Sequence, residues 1–186
     1  MAEIRRIRCC PSSTPRPSQA VRAAAGVHDP LWARALVVES GDTRVGLVVL
    51  DVVGWFYEDA QRVWAAADAA DLDLVLVQST HNHQGPDTMG QWGPNLSTTG
   101  RDLAYQEFVV QEAAQALVDA ASALTPATLT VVDVDTATPL GPKGTANFIR
   151  DSRDPVVIDE FVGVSHFADA AGDPLATYVN WGNHPE

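Results

Sequence analysis

A short apolar run that stops at a cluster of polar side chains constrains this chain more than any other feature. Leu74, Val75, Leu76 and Val77 lie in succession, and Ser79, Thr80, His81, Asn82 and His83 come next after one glutamine. An unbroken run of Leu and Val reads as a buried strand. On an extended backbone, residues i and i+2 share a face. His81 and His83 are therefore expected to project together, with Asn82 turned away. Two imidazoles at the end of a rigid strand offer nitrogen ligands to a metal ion. The plainer alternative is a pair of polar histidines in a surface loop.

The segment after the histidines supports a site. Residues 79–100 lack periodicity and are broken by Gly85, Pro86, Gly90, Gly93, Pro94 and Gly100. Aperiodic stretches of that length in compact domains are usually functional or disordered. This one leaves a strand and carries Met89 and Trp92, so a site-forming loop is expected.

The flanking segments define an α/β fold. Residues 1–25 are basic and then rich in Pro, Ser and Ala, which reads as a poorly ordered lead-in, with a short strand from Ile4 to Arg8 as the variant. Leu31 to Ser40 and Arg44 to Leu50 form a hairpin whose second strand, lacking alternation, is central. Asp51 stands at that strand's exit, either as a site residue or as a partner to a nearby arginine. Glu58 to Ala70 is alanine-rich and helical, with Val63 and Trp64 as its bulky contacts. Strand, helix and strand in that order predict a parallel βαβ unit. Leu103, Phe108, Val109, Ala113, Ala116, Leu117, Ala120 and Leu124 recur at helical spacing over Asp102 to Leu124, with Thr99 as the expected N-cap.

Ala127 to Asp135 reads as a strand. Residues 136–155 are irregular and concentrate Lys143, Arg150 and Arg153. They make either a solvated loop with Arg–Asp pairs or an arginine aimed at a substrate oxygen. Phe161 to Ala168 and Leu175 to Trp181 form a second hairpin, which ends just before His184. His81, His83 and His184 thus all sit at strand exits, where open α/β sheets bind ligands; three imidazoles suit zinc. His28 and His166 lack that setting and read as structural. The architecture expected is a mixed β-sheet with flanking helices and β-hairpins. The length suits one domain, or part of a larger one.

Composition removes several function classes. A net charge of −12 and a pI near 4.6 argue against nucleic-acid binding. The two cysteines, Cys9 and Cys10, are adjacent and build no disulfide framework. No run is long enough for stable membrane insertion and no secretory signal is readable. A cytoplasmic chain is the default, and a secreted one the alternative if the N-terminus is misassigned.

Four blocks resemble a known family. GVHDPLWARALVVESGDTRVGLVVLDVVG, STHNHQGPDTMG, NFIRDSRDPVVID and the closing NHP are similar, in order, to the N-terminal catalytic domain of the neutral/alkaline (non-lysosomal) ceramidases. The most specific block is the pattern of Thr80, His81, His83, Gly85 and Pro86; the block from Asp29 to Leu36 supports it. The resemblance runs from about Gly26 to the end and implies that residues 26–186 are the N-terminal portion of a larger catalytic domain, that of a zinc-dependent amidase which cleaves the N-acyl bond of ceramide-like or other N-acyl lipids. It implies His81 and His184 as Zn2+ ligands, His83 on the substrate side, Arg150 at the reacting amide or its oxyanion, and Asn147 in substrate binding. The family's further glutamate and tyrosine ligands and its active-site serine lie further along, in a C-terminal part missing here, and Glu186 departs from the small residue usual after HP. Two other readings remain. One is a metallo-β-lactamase-like hydrolase, which Gln84, Gly85, Pro86 and Asp87 fit poorly because the second metal's Asp–His ligands are missing. The other is a truncated, non-catalytic α/β domain. On the ceramidase reading, the isolated 186-residue chain assayed with added zinc is expected to show little or no hydrolase activity.

Overall fold

The computed structural model describes residues 2–7, 26–93, 95 and 97–183. Among these, seven strands and two long helices fall into two compact units, Met1–Leu124 and Thr125–Glu186. The α/β class expected from the sequence is the observed one.

The first unit is built on a four-stranded sheet in the order β1-β2-β3-β4. Its strands are β1 (Ala2–Ile7), β2 (Leu31–Ser40), β3 (Thr43–Leu50) and β4 (Leu74–Ser79). β1 pairs antiparallel with β2, in register from Ala2↔Leu36 to Ile7↔Leu31. This differs from the poorly ordered lead-in expected there: a strand forms, beginning earlier than the variant at Ile4. The remainder of that segment, 8–25, lies outside the described residues. β2 and β3 form the expected hairpin, with Ala35 opposite Val48 and Ala33 opposite Leu50.

β3 and β4 pair in parallel, from Val45↔Leu74 to Leu50↔Ser79. The crossover between them carries helix α1 (Tyr57–Ala66) and a short 3-10 turn at Asp68–Ala70. β3 is central, as its apolar run predicts. β4 is not buried on both faces. It is the sheet's last strand, so Val75 and Val77 pack against the core while Leu74 and Leu76 are 42% and 46% exposed. An apolar run cannot distinguish a central strand from an edge strand that presents leucines outward.

Alternation explains the covered face. Ala33, Ala35 and Val37 on β2, with Val48 and Leu50 on β3, point to one side and are buried. Helix α2 (Leu103–Ser122) packs on β1, β2 and β3 and supplies Val109, Ala113, Ala116, Leu117 and Ala120 to the same core. The small alanines bring helix and sheet close together. Val63 of α1 completes the layer, whereas Trp64 is partly exposed. Two details differ from expectation. Leu103 is 75% exposed, because it stands at the first helical position, ahead of the stripe that faces the sheet. The N-cap is Asp102 rather than Thr99, its carboxylate accepting from the Ala104 and Tyr105 amides at 2.9 and 3.2 Å. Thr99 Oγ1 instead accepts from the Arg101 amide in the turn before it.

The second unit is a three-stranded antiparallel sheet of β5 (Thr128–Asp135), β6 (Phe161–Ala168) and β7 (Pro174–Trp181). Helix α3 (Ala137–Leu140) and a 3-10 turn (Gly144–Asn147) lie within the stretch expected to be irregular. Thr136 and Thr145 are buried and bonded to each other at 3.1 Å, and Glu160 accepts from both. Trp181 Nε1 donates to Thr145 Oγ1, and its ring meets Phe148 edge-on at 5.8 Å.

Leu117 is fully buried between helix and sheet, while Leu76 sits on the outward side of the edge strand. Leu117→Ala should cost about 2–5 kcal/mol in urea unfolding. Leu76→Ala should change stability by about 0.5 kcal/mol or less.

Candidate metal centre

The parallel register places two chain segments side by side. β3 ends at Leu50 opposite Ser79, and the Thr80 amide donates to the Leu50 carbonyl at 2.9 Å. The exit of β3, Asp51-Val52-Val53-Gly54, therefore runs next to the exit of β4. Asp51 takes the structural role of the two open to it. Its carboxylate accepts from Arg34 Nη1 at 2.8 and 2.9 Å and from the Trp32 amide at 3.0 Å, and so fastens the exit to β2. Val52 and Val53 are buried beside it.

His81 and His83 do converge, but not by strand alternation. β4 has already ended at Ser79, and His81 is left-handed with φ at 61°. A side chain other than glycine in that region is uncommon and stores strain. The turn it makes swings both rings inward, whereas Asn82 accepts from the Gln84 amide to close the turn. The two Nε2 atoms lie 3.3 Å apart, with ring centroids at 4.7 Å and planes at 87°. Trp92 packs edge-on against His83 at 5.8 Å.

The tautomer of His81 is set by its partner. Nδ1 lies 2.5 Å from the Val53 carbonyl oxygen, which can only accept. Nδ1 therefore carries a proton, and in the neutral ring Nε2 is the acceptor that faces His83. A metal-binding imidazole typically has its second nitrogen tied to a carbonyl in this way. Two nitrogens on one tetrahedral zinc at about 2.0–2.1 Å would stand about 3.3–3.4 Å apart, which the observed spacing matches. His81 thus has the anchored second nitrogen of a zinc ligand, and the His83 ring, equally close to the cation position, can serve as a second ligand or turn to a substrate. The described residues contain no cluster of three or more His, Cys, Asp or Glu side chains suited to a metal. His184 lies outside the described residues.

The loop beyond the histidines is held by residues whose importance the sequence does not signal. Asp87 accepts from the Met89, Gly90 and Trp92 amides at 3.0, 2.7 and 2.8 Å. A Cβ at Gly100 would run into Asp87 Oδ2, and one at Gly54 would run into Met89 Sδ. Both glycines permit close contacts that a side chain would block. Thr88 and Gln106 are fully buried beneath the loop. A glutamine within the helical stripe of α2 is the one available clue, since a buried amide must find partners.

In the second unit, Asn147 and Arg150 lie in the segment following α3 and are exposed. Asn147 Nδ2 donates to the Leu140 and Gly144 carbonyls at 2.9 and 3.0 Å, which clasps its own loop. Arg153 pairs with Asp151 at 2.8 Å, the Arg–Asp pairing open to this stretch. His28 is bonded to Asp29 and His166 to Thr177.

No family model matches the chain, and no curated protein matches it significantly. Solved structures do. Neutral ceramidase from Pseudomonas aeruginosa superposes with a TM-score of 0.70 at 22% identity, covering 96% of this chain and 30% of that one. A ceramidase complexed with C2 gives 0.69 at 21%, with the same coverage.

Two outcomes test this geometry. Asp87→Ala removes the acceptor of three loop amides and should cost about 1–3 kcal/mol, with faster proteolysis within 85–100. The Arg153 side chain, with the Val157 and Arg153 amides, holds the Asp151 carboxyl well below the usual carboxylate range. A depressed folded value contributes stability that is complete above about pH 4 and is lost only at still lower pH. Carbon-detected NMR titration should find Asp151 ionised after other exposed carboxylates have protonated. The structural likeness meets the resemblance expected from the sequence blocks: this chain has the fold of part of neutral ceramidase, and spans less than a third of that protein's length.

Proposed function

We propose that this chain carries part of the site of a zinc-dependent amidase acting on the N-acyl bond of ceramide-like lipids. The supporting observation is the His81–His83 pair at the exit of β4. Its Nε2 atoms are 3.3 Å apart, with the His81 Nδ1 proton tied to the Val53 carbonyl, in a fold shared with neutral ceramidase.

In this reading His81 holds zinc through Nε2, together with His184 and ligands supplied from outside this chain. A bound zinc would acidify a water and polarise the amide carbonyl. His83, one hydrogen-bond length from His81 Nε2, stands on the substrate side and serves the tetrahedral intermediate. Trp92 limits the freedom of the His83 ring from one edge. Arg150 is assigned to the developing oxyanion, where a guanidinium gives charge-assisted hydrogen bonds. Asn147 is assigned to substrate binding through the loop it clasps. Met89 and Trp92, in the loop after the histidines, offer apolar surface suited to an acyl chain.

No helix among the described residues is long and apolar enough to cross a membrane. The lipid substrate would therefore reach the site without a membrane-spanning helix from them.

The test is zinc binding and hydrolysis of a fluorescent N-acylsphingosine. His81→Ala should abolish zinc binding by the chain, and His83→Ala should weaken it less. In a longer parent carrying the remaining ligands, both variants should lose hydrolysis by at least about 100-fold. Unchanged zinc binding in His81→Ala would refute the assignment.

A further inference from the structure

Beneath the histidine pair runs a line of polar groups that none of the assigned roles uses. Asp59, on α1, is 5% exposed and accepts from Arg62 Nη1 at 3.0 Å and from Arg101 Nη2. The same Arg101 nitrogen donates to Gln106 Oε1 at 3.0 Å. Gln106 Nε2 donates to the Thr88 carbonyl at 3.0 Å, and Thr88 Oγ1 donates to the Gly54 carbonyl at 2.7 Å. Gln106 and Thr88 are both 0% exposed.

The line ends where the site begins. Gly54 comes directly after Val53, and Val53 is the carbonyl that accepts the His81 Nδ1 proton. Two consecutive carbonyls at the exit of β3 are therefore each engaged by a side-chain donor, one from the site and one from this line. Holding the Gly54 carbonyl fixes the peptide plane that follows Gly54, and so limits the φ and ψ of Gly54 that link this plane to the one carrying the Val53 carbonyl. That carbonyl fixes both the tautomer and the tilt of the imidazole.

The cost of building this line argues for a purpose. Burying the Gln106 amide and the Asp59 carboxylate is expensive unless their polar atoms are bonded, and apolar residues of similar size would pack there without that cost. Every bond from Asp59 to Gly54 is made within hydrogen-bonding distance. The line also ties α1 and α2 to the loop that carries Asp87 and Trp92. His81 itself is held at a strained φ of 61°, a conformation that persists only where its surroundings enforce it.

We propose that Thr88 and Gln106 are positioning residues for His81. Acting through the Gly54 and Val53 carbonyls, they lock its imidazole as the Nδ1–H tautomer and aim Nε2 at the cation position. The cation part of this inference rests on the zinc reading above; the tautomer part does not.

The test uses the full chain and two independent readouts. Nitrogen-15 NMR of the ring reports the His81 tautomer, and titration with Zn2+ alone reports affinity. Thr88→Val keeps the volume and removes the hydroxyl, Thr88→Ser keeps the hydroxyl, and Gln106→Glu keeps the Arg101 contact but loses the donor to Thr88. Parent and Thr88→Ser should show a single Nδ1–H tautomer. Thr88→Val and Gln106→Glu should show mixed tautomers and bind Zn2+ about tenfold or more weakly. A single unchanged tautomer in folded Thr88→Val and Gln106→Glu would overturn the proposal, whatever the zinc data. Should Thr88→Val fail to fold, Gln106→Glu and Thr88→Ser decide the matter by the same tautomer measurement. If the parent binds no Zn2+ while the tautomers still shift as stated, the zinc reading fails and the positioning role stands.

Discussion

The parallel pairing of β3 with β4 is the constraint on which the candidate site depends. With Leu50 aligned to Ser79, the two strands end together, and the segments beyond them must run side by side. An antiparallel pair would have placed one segment's end beside the other's beginning. The parallel register brings the Val53 carbonyl within reach of His81 across 28 residues of sequence. Parallel strands need a crossover, and here α1 supplies it. The same helix carries Asp59, so the element that permits the pairing also anchors the line of hydrogen bonds that ends at the Gly54 carbonyl.

Around that pairing, the structure separates apolar from polar support. On the covered face of the first sheet, Ala33, Ala35 and Val37 meet the small residues of α2, giving a thin, tightly packed layer. At the strand exits the packing changes character. Asp51 fastens β3 to β2, Asp87 gathers three amides of the loop, and Thr88 and Gln106 carry the bonding inward. Carboxylates and amides suit this task because an irregular backbone leaves N–H and C=O groups that a ladder would otherwise pair. Loops so bonded can be long without being loose, which a site built on a loop requires.

Much of this is legible in the sequence, and the failures have physical causes. Hairpins, the βαβ unit and α2 are dictated by apolar periodicity and turn residues, which are local signals. The edge position of β4 is hidden because sheet order is a tertiary property; Leu74 and Leu76 look alike whether buried or exposed. β1 is obscured by its arginines, and its pairing with β2 is a tertiary property that local sequence does not carry. At the site, the two histidines are evident from type and spacing, but the reason for their convergence is not. It lies in the left-handed turn at His81, and nothing in THNH announces a positive φ. Asp87, Thr88 and Gln106 escape a reading of the sequence because their roles arise from partners distant along the chain. A buried polar side chain shows itself only once those partners are known.

The geometry also sharpens how two neighbouring histidines can do different work. His81 has no choice of tautomer, since its Nδ1 proton is bound to a carbonyl. In the neutral ring its Nε2 is the accepting nitrogen. His83 presents its own Nε2 to that acceptor at 3.3 Å. With the proton on Nε2, His83 donates to His81. With the proton moved to Nδ1, both Nε2 lone pairs face the same point, at the spacing of two ligands on one ion. The position of the His83 proton therefore decides whether the pair is joined by a hydrogen bond or offers two acceptors to one point. The asymmetry between the two rings therefore comes from one backbone carbonyl, Val53, rather than from any difference between the histidines themselves.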